Sequence, residues 1–303
     1  MTDPATTGVH TRPAIRGSLT PIVTPFANGD IDEATFTSLI RHQIDNGGHG
    51  VAIAGTTGEP TSLTLDERER LFHLAAEAVD GRGAVLAGTG TSDFADTVRL
   101  GRAARRAGAT AALIVVPYFV QPPQRGLLDW FRRAADESEL PVILYDIPGR
   151  AGVGLSVDTT AQLSQHENIV GVKLARPDLI HASNVIASCG PNFGVYCGVE
   201  ALCFPMLVLG GAGHVSATGN LFPAEMAAMA EAVFAGDIET ARSIHYRLLA
   251  VNEAIFFETN PIPLKAMLAI CGLARPDVRP PLAPATPELT ARLETILAAT
   301  ANN

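Results

Sequence analysis

Lysine is scarce in this chain of 303 residues: the 22 basic residues include only two lysines, Lys173 and Lys265. Arginine carries charge equally well, but its guanidinium stays protonated and cannot act as an amine nucleophile. Lys173 ends the apolar run Ile169–Val172. Apolar surroundings disfavour the charged form of an amine, so a free amine becomes available near neutral pH. We therefore predict chemistry at Lys173 rather than the alternative, an ion pair with a carboxylate.

A free amine condenses with a ketone to give a Schiff base. The iminium acts as an electron sink, so that an enamine forms and attacks an aldehyde. Tyr145 ends another apolar run and is a candidate for passing protons to or from the carbinolamine. The alternative is an interior tyrosine with a satisfied hydroxyl. Lys265 follows two prolines, and we expect it to be structural and to join the C-terminal tail to the rest of the chain.

Two further segments offer groups that bind carboxylates. Thr56 and Thr57 lie between Gly55 and Gly58, where hydroxyls and exposed backbone N–H groups suit a small carboxylate. Any tight turn can use the same residues. Arg150 follows a predicted strand and can hold a second carboxylate in bidentate fashion, although an ordinary surface arginine is the alternative.

The spacing of apolar runs and amphipathic segments predicts a (β/α)₈ TIM barrel with a C-terminal helical domain. Eight apolar, β-branched runs alternate with helical patterns between residues 17 and 222. The predicted strands are Ser18–Val23, Gly50–Ala54, Gly83–Ala87, Ala112–Val116, Pro141–Tyr145, Ile169–Lys173, Gly194–Cys197 and Gly213–Ala217. A doubly wound open sheet is the alternative, but no G-x-G-x-x-G motif follows the first strand. In a barrel, the site lies where the strands end.

The two ends of the chain differ from the barrel segment. We expect residues 1–16 to form a flexible N-terminal arm and residues 223–303 to form a helical domain. The helical patterns of that tail are Pro223–Phe234, Asp237–Phe257, Pro263–Cys271 and Pro287–Ala299. No strand pattern separates them, so the tail is expected to be a cap or an oligomerisation element.

Charge and cysteine spacing exclude several classes of function. A net charge of −9 argues against a nucleic-acid or anionic-lipid surface. The four cysteines lack metal-ligand spacing, and we expect them to be reduced, buried and structural, with no metal site. The sequence has no run of about 20 apolar residues and no basic start followed by an apolar stretch, so we expect a cytoplasmic protein.

Four motifs resemble the dihydrodipicolinate synthase family of the N-acetylneuraminate lyase superfamily. They are Gly55-Thr56-Thr57-Gly58-Glu59, Tyr145-Asp146-Ile147-Pro148-Gly149-Arg150, Gly171-Val172-Lys173 and Asn260-Pro261-Ile262-Pro263-Leu264-Lys265. Their order and spacing match the family from about residue 16 to residue 275. The resemblance implies a barrel with a C-terminal helical domain, a homotetramer, and class I aldolase chemistry on pyruvate without a metal or an organic cofactor.

The resemblance also implies a role for each matching residue. Lys173 would form the Schiff base, Tyr145 would transfer protons and Thr56 would relay them. Thr57 would hold the pyruvate carboxylate, and Arg150 would bind the carboxylate of aspartate semialdehyde. Backbone contacts to pyruvate would come from Gly198 and Val215.

The sequence departs from the family pattern at two places. The family has a second tyrosine after the proline of the fourth strand, and it reaches into a neighbouring subunit's site; here Tyr118 is followed by Phe119 and Val120. The proton relay is therefore broken or completed by water. Members that lysine inhibits have histidines where this chain has Leu65 and Arg68, so we predict no feedback inhibition by lysine.

Three functions follow from these residues. The first is a pyruvate-dependent lyase that condenses pyruvate with aspartate semialdehyde. The second is a related aldolase or dehydratase that uses Lys173 on another 2-oxo acid with a different aldehyde. The third is a barrel that binds a keto acid without catalysis, and the intact lysine, tyrosine and threonines argue against it.

Overall fold

A computed structural model describes residues 13–301 of the chain. In chain order, its strands are β1 (Gly17–Pro21), β2 (Phe26–Ala27), β3 (Asp30–Ile31), β4 (Gly50–Ile53), β5 (Ala84–Gly88), β6 (Ala111–Val115), β7 (Val142–Asp146), β8 (Ile169–Leu174), β9 (Gly194–Cys197) and β10 (Gly213–Val215). Eight parallel strands close a barrel in the order β1-β10-β9-β8-β7-β6-β5-β4, and β2 pairs with β3 as a small antiparallel hairpin. The predicted TIM barrel is confirmed.

Apolar side chains fill both sides of the barrel wall. Inside, a cluster that includes Leu19, Leu86, Ile143, Tyr145 and Val215 occupies the barrel axis. Outside, a larger cluster fills the layer between the strands and the helices. This double burial explains why the strands are almost wholly apolar in sequence, without the alternation of a sheet that has one wet face.

The helices are α1 (Glu33–Asp45), α2 (Leu65–Val79), α3 (Phe94–Ala107), α4 (Gln124–Glu137), α5 (Pro148–Ala151), α6 (Val157–Leu163), α7 (Leu179–Ser188), α8 (Cys203–Val208), α9 (Pro223–Ala235), α10 (Ile238–Ala254), α11 (Ile262–Ile270) and α12 (Pro287–Ala301). Polar side chains cap the N-termini of several helices. The Asp32 carboxylate accepts from the Thr35 N–H, and Thr64 forms a capping box with Glu67. The strand-free tail that the sequence predicts corresponds to α9–α12.

The division into arm, barrel and helical domain stays a prediction. Residues 1–12 of the predicted arm lie outside the described residues. The arm's last residues contact the rest of the chain: the Arg16 guanidinium lies 3.8 Å from the centroid of the Phe234 ring, and the Ile15 carbonyl accepts from the Tyr196 hydroxyl at 2.7 Å.

The cysteines only partly follow the sequence expectation. Cys197 and Cys203 are buried, Cys189 is half-buried, and all four have free thiols. The prediction of burial was wrong for Cys271, which is exposed because it immediately follows the last residue of α11. Within residues 13–301, no helix is long and apolar enough to cross a membrane.

Candidate active site

Lys173 and Tyr145 lie side by side at the carboxyl end of the barrel. They are partners in the ladder between β7 and β8, near the end of each strand. The Lys173 side chain is only 5% exposed, and its Nζ lies 4.1 Å from the centroid of the Tyr145 ring. The amine is therefore held in a largely apolar environment against an aromatic face, out of bulk water.

The Tyr145 hydroxyl forms a hydrogen bond with Thr56. Their oxygens are 3.1 Å apart, and either can be the donor. Thr56 begins a short 3₁₀ turn, Thr56–Gly58, which follows β4. The Thr24 hydroxyl donates to the carbonyl of Gly58 at 2.8 Å and fastens this turn to the segment after β1. The contacts thus run from the Lys173 amine to the Tyr145 ring, and from its hydroxyl to Thr56.

Thr57 is prepared to donate a hydrogen bond. The Asn260 side-chain N–H donates to its hydroxyl oxygen at 3.0 Å, and Thr57 is buried. A hydroxyl that accepts one hydrogen bond still has its own O–H to donate. That donor suits a carboxylate. Asn260 lies 203 residues further along the chain, and the sequence marks it only as part of a motif.

Arg150 reaches the same segment from the other side. It lies in α5, the short helix after β7, and its Nη2 donates to the carbonyl of Asn260 at 3.1 Å. Asn260 thus connects the turn that carries Thr57 with the helix that carries Arg150. The guanidinium is exposed and borders the cavity described below.

Gly198 and Val215 lie at the ends of the two barrel strands that come after β8, the strand of Lys173. Gly198 directly follows β9, and Val215 is the last residue of β10. A Cβ atom built on Gly198 would lie 2.7 Å from Lys173 Cε, so only a glycine leaves that side chain its position. The Gly198 N–H donates to the carbonyl of Leu174 at 2.8 Å. Val215 ends β10 and packs with Tyr145 in the interior cluster.

A cavity of about 290 Å³ opens beside these groups. Among its lining residues are Thr56, Tyr118, Tyr145, Arg150 and Asn260. Lys173 does not line it, but its nitrogen lies against the ring of Tyr145, which does. Of the seven predicted site residues, the cavity wall therefore includes Thr56, Tyr145 and Arg150. Lys173 lies against Tyr145, and Gly198 lies against Lys173. Val215 belongs to the same interior cluster as Tyr145, and Thr57 is hydrogen-bonded to Asn260.

The segment after β6 has Phe119 where the family pattern has a tyrosine, so no hydroxyl is present at that position for the relay. Phe119 is 91% exposed and has a positive φ of 75°. Tyr118 is half-buried beside the buried guanidinium of Arg68 and lines the same cavity as Thr56 and Tyr145. Burial lowers the pKa of Arg68, which donates to the carbonyl of Pro60 through Nε at 3.1 Å and through Nη2.

A buried ion pair joins the tail to the threonine turn. Lys265 on α11 donates to the Glu59 carboxylate and, at 2.8 Å, to the carbonyl of Asp277. The Arg279 backbone N–H donates to the second Glu59 oxygen at 3.1 Å. Lys265 is wholly buried, so its role is to hold the tail on the barrel, as the sequence predicts.

No group of three or more histidines, cysteines, aspartates or glutamates within residues 13–301 is arranged to hold a metal ion. His214, on β10, is packed in the interior. It is buried, and its Nε2 lies 3.2 Å from the Met226 carbonyl. Burial lowers its pKa to about 4.

This chain is similar to known proteins in sequence and in fold. Residues 14–300 match the model of the dihydrodipicolinate synthetase family. A protein of Thermus thermophilus named 4-hydroxy-tetrahydrodipicolinate synthase is 44% identical over 280 residues, which are 92% of this chain and 94% of that protein. The crystal structure of dihydrodipicolinate synthase from Aquifex aeolicus superposes with a TM-score of 0.92 at 37% identity, covering 94% of this chain and 97% of that one. The synthase structure from Methylacidiphilum fumariolicum SolV gives 0.93 at 37% identity, covering 95% and 96%.

Proposed function

The chain belongs to the dihydrodipicolinate synthetase family, and from this membership we propose that it condenses pyruvate with aspartate semialdehyde as a 4-hydroxy-tetrahydrodipicolinate synthase. That reaction belongs to lysine biosynthesis. The observation that carries the proposal is the buried Lys173 amine, 4.1 Å from the ring of a tyrosine that is hydrogen-bonded to Thr56.

In the proposed mechanism, Lys173 attacks the keto carbon of pyruvate to give a carbinolamine, the former keto oxygen leaves as water, and a protonated Schiff base remains. The Tyr145 hydroxyl moves protons at the carbinolamine, and Thr56 exchanges protons with Tyr145 across their 3.1 Å contact. Loss of a proton from the pyruvate methyl group converts the protonated imine to the enamine, which then attacks the aldehyde carbon. The protonated imine is itself the electron sink, so the proposal needs no metal and no organic cofactor.

The substrates have carboxylates that need fixed donors. We assign the pyruvate carboxylate to the Thr57 hydroxyl, because Asn260 leaves its O–H free to donate. Backbone contacts to pyruvate are assigned to Gly198 and Val215 on the neighbouring strands. Arg150 is assigned to the carboxylate of aspartate semialdehyde, which its guanidinium can bind in bidentate fashion.

We propose a homotetramer as the working assembly. Phe119, at 91% exposed, extends a large apolar ring from the segment next to the cavity. Covering that ring with a second copy of the chain would remove apolar surface from water. A cytoplasmic location is part of the same proposal, since the cysteine thiols are all free.

Phe119 also favours a second candidate, a related aldolase or dehydratase that acts on a different aldehyde or 2-oxo acid. A phenylalanine cannot pass a proton, so the relay beyond Thr56 needs water or another group. Schiff-base formation at Lys173 is common to both candidates.

Borohydride trapping tests the shared mechanism. Wild-type protein incubated with pyruvate and sodium borohydride should gain the mass of one reduced adduct on the peptide that contains Lys173. Lys173→Arg should gain none, since arginine keeps the charge and loses the nucleophile. Absence of the adduct in the wild type would refute the proposed function.

A panel of aldehydes separates the two candidates. Turnover with aspartate semialdehyde, measured with pyruvate in excess, supports the synthase. Turnover only with other aldehydes would remove the synthase assignment and leave the Lys173 mechanism in place.

A further inference from the structure

Arg150 lies in a loop that needs support from the rest of the fold. The loop leaves the barrel after Asp146, the last residue of β7, contains α5 and returns to the interior at Leu155, which is buried. Its tip meets solvent, because Gly149, Arg150 and Gly152 are exposed. A binding side chain on a loop is placed only as precisely as its supporting contacts hold that loop. The contacts at Leu155 therefore bear on the position of Arg150.

A buried ion pair holds both backbone polar groups of Leu155. The Asp146 carboxylate is wholly buried, and its Oδ2 lies 2.8 Å from Arg176 Nη2. Asp146 Oδ1 accepts from the Leu155 N–H at 3.0 Å, and Arg176 Nη2 donates to the Leu155 carbonyl at 3.4 Å. Burial raises the pKa of the Asp146 carboxyl, and the charge of Arg176 opposes that rise. Both members of the pair thus end on one residue, where the loop returns to the interior.

Gln124, the first residue of α4, holds the backbone on either side of Leu155. Its Nε2 donates to the Gly154 carbonyl at 2.8 Å, and its Oε1 accepts from the Ser156 N–H at 2.9 Å. Four consecutive backbone polar groups are therefore bound by side chains from three other parts of the chain. We call these side chains the Leu155 clamp: Gln124, Asp146 and Arg176.

Gly154 brings the backbone of the loop directly against the ion pair. A Cβ atom built on Gly154 would overlap Arg176 Nη2 and would lie 2.8 Å from Asp146 Oδ1. Any residue with a Cβ at this position has to push the guanidinium aside. The close approach of loop and ion pair therefore requires a glycine here.

The clamp lies outside the cavity. Successive residues of a strand point to opposite faces, and Tyr145 belongs to the interior cluster, so Asp146 points outward from the barrel. None of the three clamp side chains lines the cavity, whereas Arg150 does. The clamp thus has no direct contact with a substrate in the cavity, and its influence passes through the loop to Arg150.

We propose that the Leu155 clamp determines specificity for the second substrate: its three side chains are positioning residues that hold α5 so that Arg150 meets a carboxylate on the aldehyde. This rests on the function proposed above and extends its assignment of Arg150. The groups assigned to pyruvate lie on barrel strands and on the threonine turn, outside this loop. The clamp therefore governs use of the aldehyde and not formation of the Schiff base.

Gly154→Ala tests the proposal because it displaces the ion pair without changing any charge. A misplacement of about 1 Å can cost about 10²-fold in rate, so kcat/KM for aspartate semialdehyde should fall by about 10-fold to 100-fold, mainly through KM. The pyruvate concentration that gives half-maximal borohydride trapping should stay unchanged. Gly149→Ala is the matched control, since its new methyl in the same loop would meet no atom within 4 Å, and both measurements should match the wild type.

A double-mutant cycle with Arg150→Ala tests whether the effect passes through Arg150. In an Arg150→Ala background, Gly154→Ala should lower kcat/KM for aspartate semialdehyde little further, because the side chain that the clamp positions is already gone. If the clamp acted elsewhere, the two losses would multiply.

Gln124→Ala disturbs the clamp from its other side. It removes both amide hydrogen bonds and leaves the ion pair intact, so kcat/KM for aspartate semialdehyde should fall in the same direction by a smaller factor. If Gly154→Ala does not fold, Gln124→Ala decides the question with the same two measurements and the same cycle.

The outcomes distinguish this inference from the proposed function. With an active wild type, the inference is overturned by an unchanged kcat/KM in the clamp variants, by an equal loss of pyruvate trapping, or by losses that multiply with that of Arg150→Ala. If the wild-type protein is not trapped with pyruvate, or does not turn over aspartate semialdehyde, the proposed function fails and the inference fails with it.

Discussion

Gly198→Ala should disable the active site while the fold survives. The new methyl would lie 2.7 Å from Lys173 Cε, and ordinary contact begins near 3.4 Å, so the lysine must move by about 0.7 Å (3.4 − 2.7). The methyl would also approach the Ala175 Cβ at 3.1 Å and the Leu174 carbonyl oxygen at 3.2 Å. The flexible lysine chain gives way more easily than the backbone does.

The size of the effect follows from that displacement. A misplacement of about 1 Å at a reacting group can cost about 10²-fold in rate, so kcat should fall by about that factor. Overpacking in a filled interior costs about 1–3 kcal/mol, which lowers the free energy of unfolding without abolishing folding. The assays are steady-state turnover, borohydride trapping with pyruvate and urea denaturation of the same preparation.

Gly190→Ala is the matched control. Gly190 precedes the same strand at its other end, and its new methyl would meet no atom within 4 Å. Wild-type turnover is expected. If Gly198→Ala also turned over at the wild-type rate with a normal adduct, the packing argument for Lys173 would be wrong. A loss of activity equal to the fraction of protein that is unfolded would show that Gly198 serves the fold alone.

Four other outcomes are expected. Arg150→Ala should lower kcat/KM for aspartate semialdehyde by about 10–100-fold, the worth of one charge-assisted contact, and an equal loss with a neutral aldehyde would contradict its assigned role. Lys265→Met should lower the free energy of unfolding by about 3–5 kcal/mol in urea, because Glu59 is left buried and unpaired; adding Glu59→Gln should recover part of it, and no recovery would contradict the pairing. Acid should destabilise the fold through His214. Its pKa is about 4 when folded and 6.5 when unfolded, so the unfolded chain binds the extra proton as pH falls through that window, costing up to about 3 kcal/mol by pH 4. When unfolding is followed by circular dichroism at a series of pH values, His214→Gln should reduce the fall in the free energy of unfolding between pH 6.5 and pH 4. An unchanged fall would refute the role given to His214. Lysine at physiological concentration should leave turnover unchanged, since Arg68 is bound to a backbone carbonyl; measurable inhibition would overturn this.

The barrel could be predicted because its signals are local. Each strand is a short apolar run next to a helical pattern, and the eight predicted runs overlap the eight observed strands within one or two residues at each end. Lys173 could be singled out because lysine is rare in this chain. Tyr145 could be singled out because it is the last residue of the predicted strand Pro141–Tyr145. The helices α5, α7 and α8 were not predicted. Helix α8 is apolar throughout and lacks the polar face that marks an amphipathic helix. Helix α5 has only four residues, and α7 mixes polar residues such as His181 and Asn184 with apolar ones over only ten residues.

The remaining parts of the site depend on contacts between distant segments. Asn260 meets Thr57 across 203 positions, and Asp146 accepts from Leu155 across a loop that no periodicity marks. Phe119 likewise lies in a loop where its φ is positive and its side chain is 91% exposed, which the apolar character of the residue does not predict. A sequence pattern reports the environment of a residue within a helix or strand, but it does not report which loops meet above a barrel.

Asn260 also constrains how the substrate range of this protein can be altered. Its side chain is bonded to the loop after β4 and its carbonyl to the helix after β7, while the tail that follows is fastened by Lys265. Grafting one of those loops from a relative would leave a mismatched junction with the other two. An exchange that preserves the pocket has to transplant all three segments as one cassette.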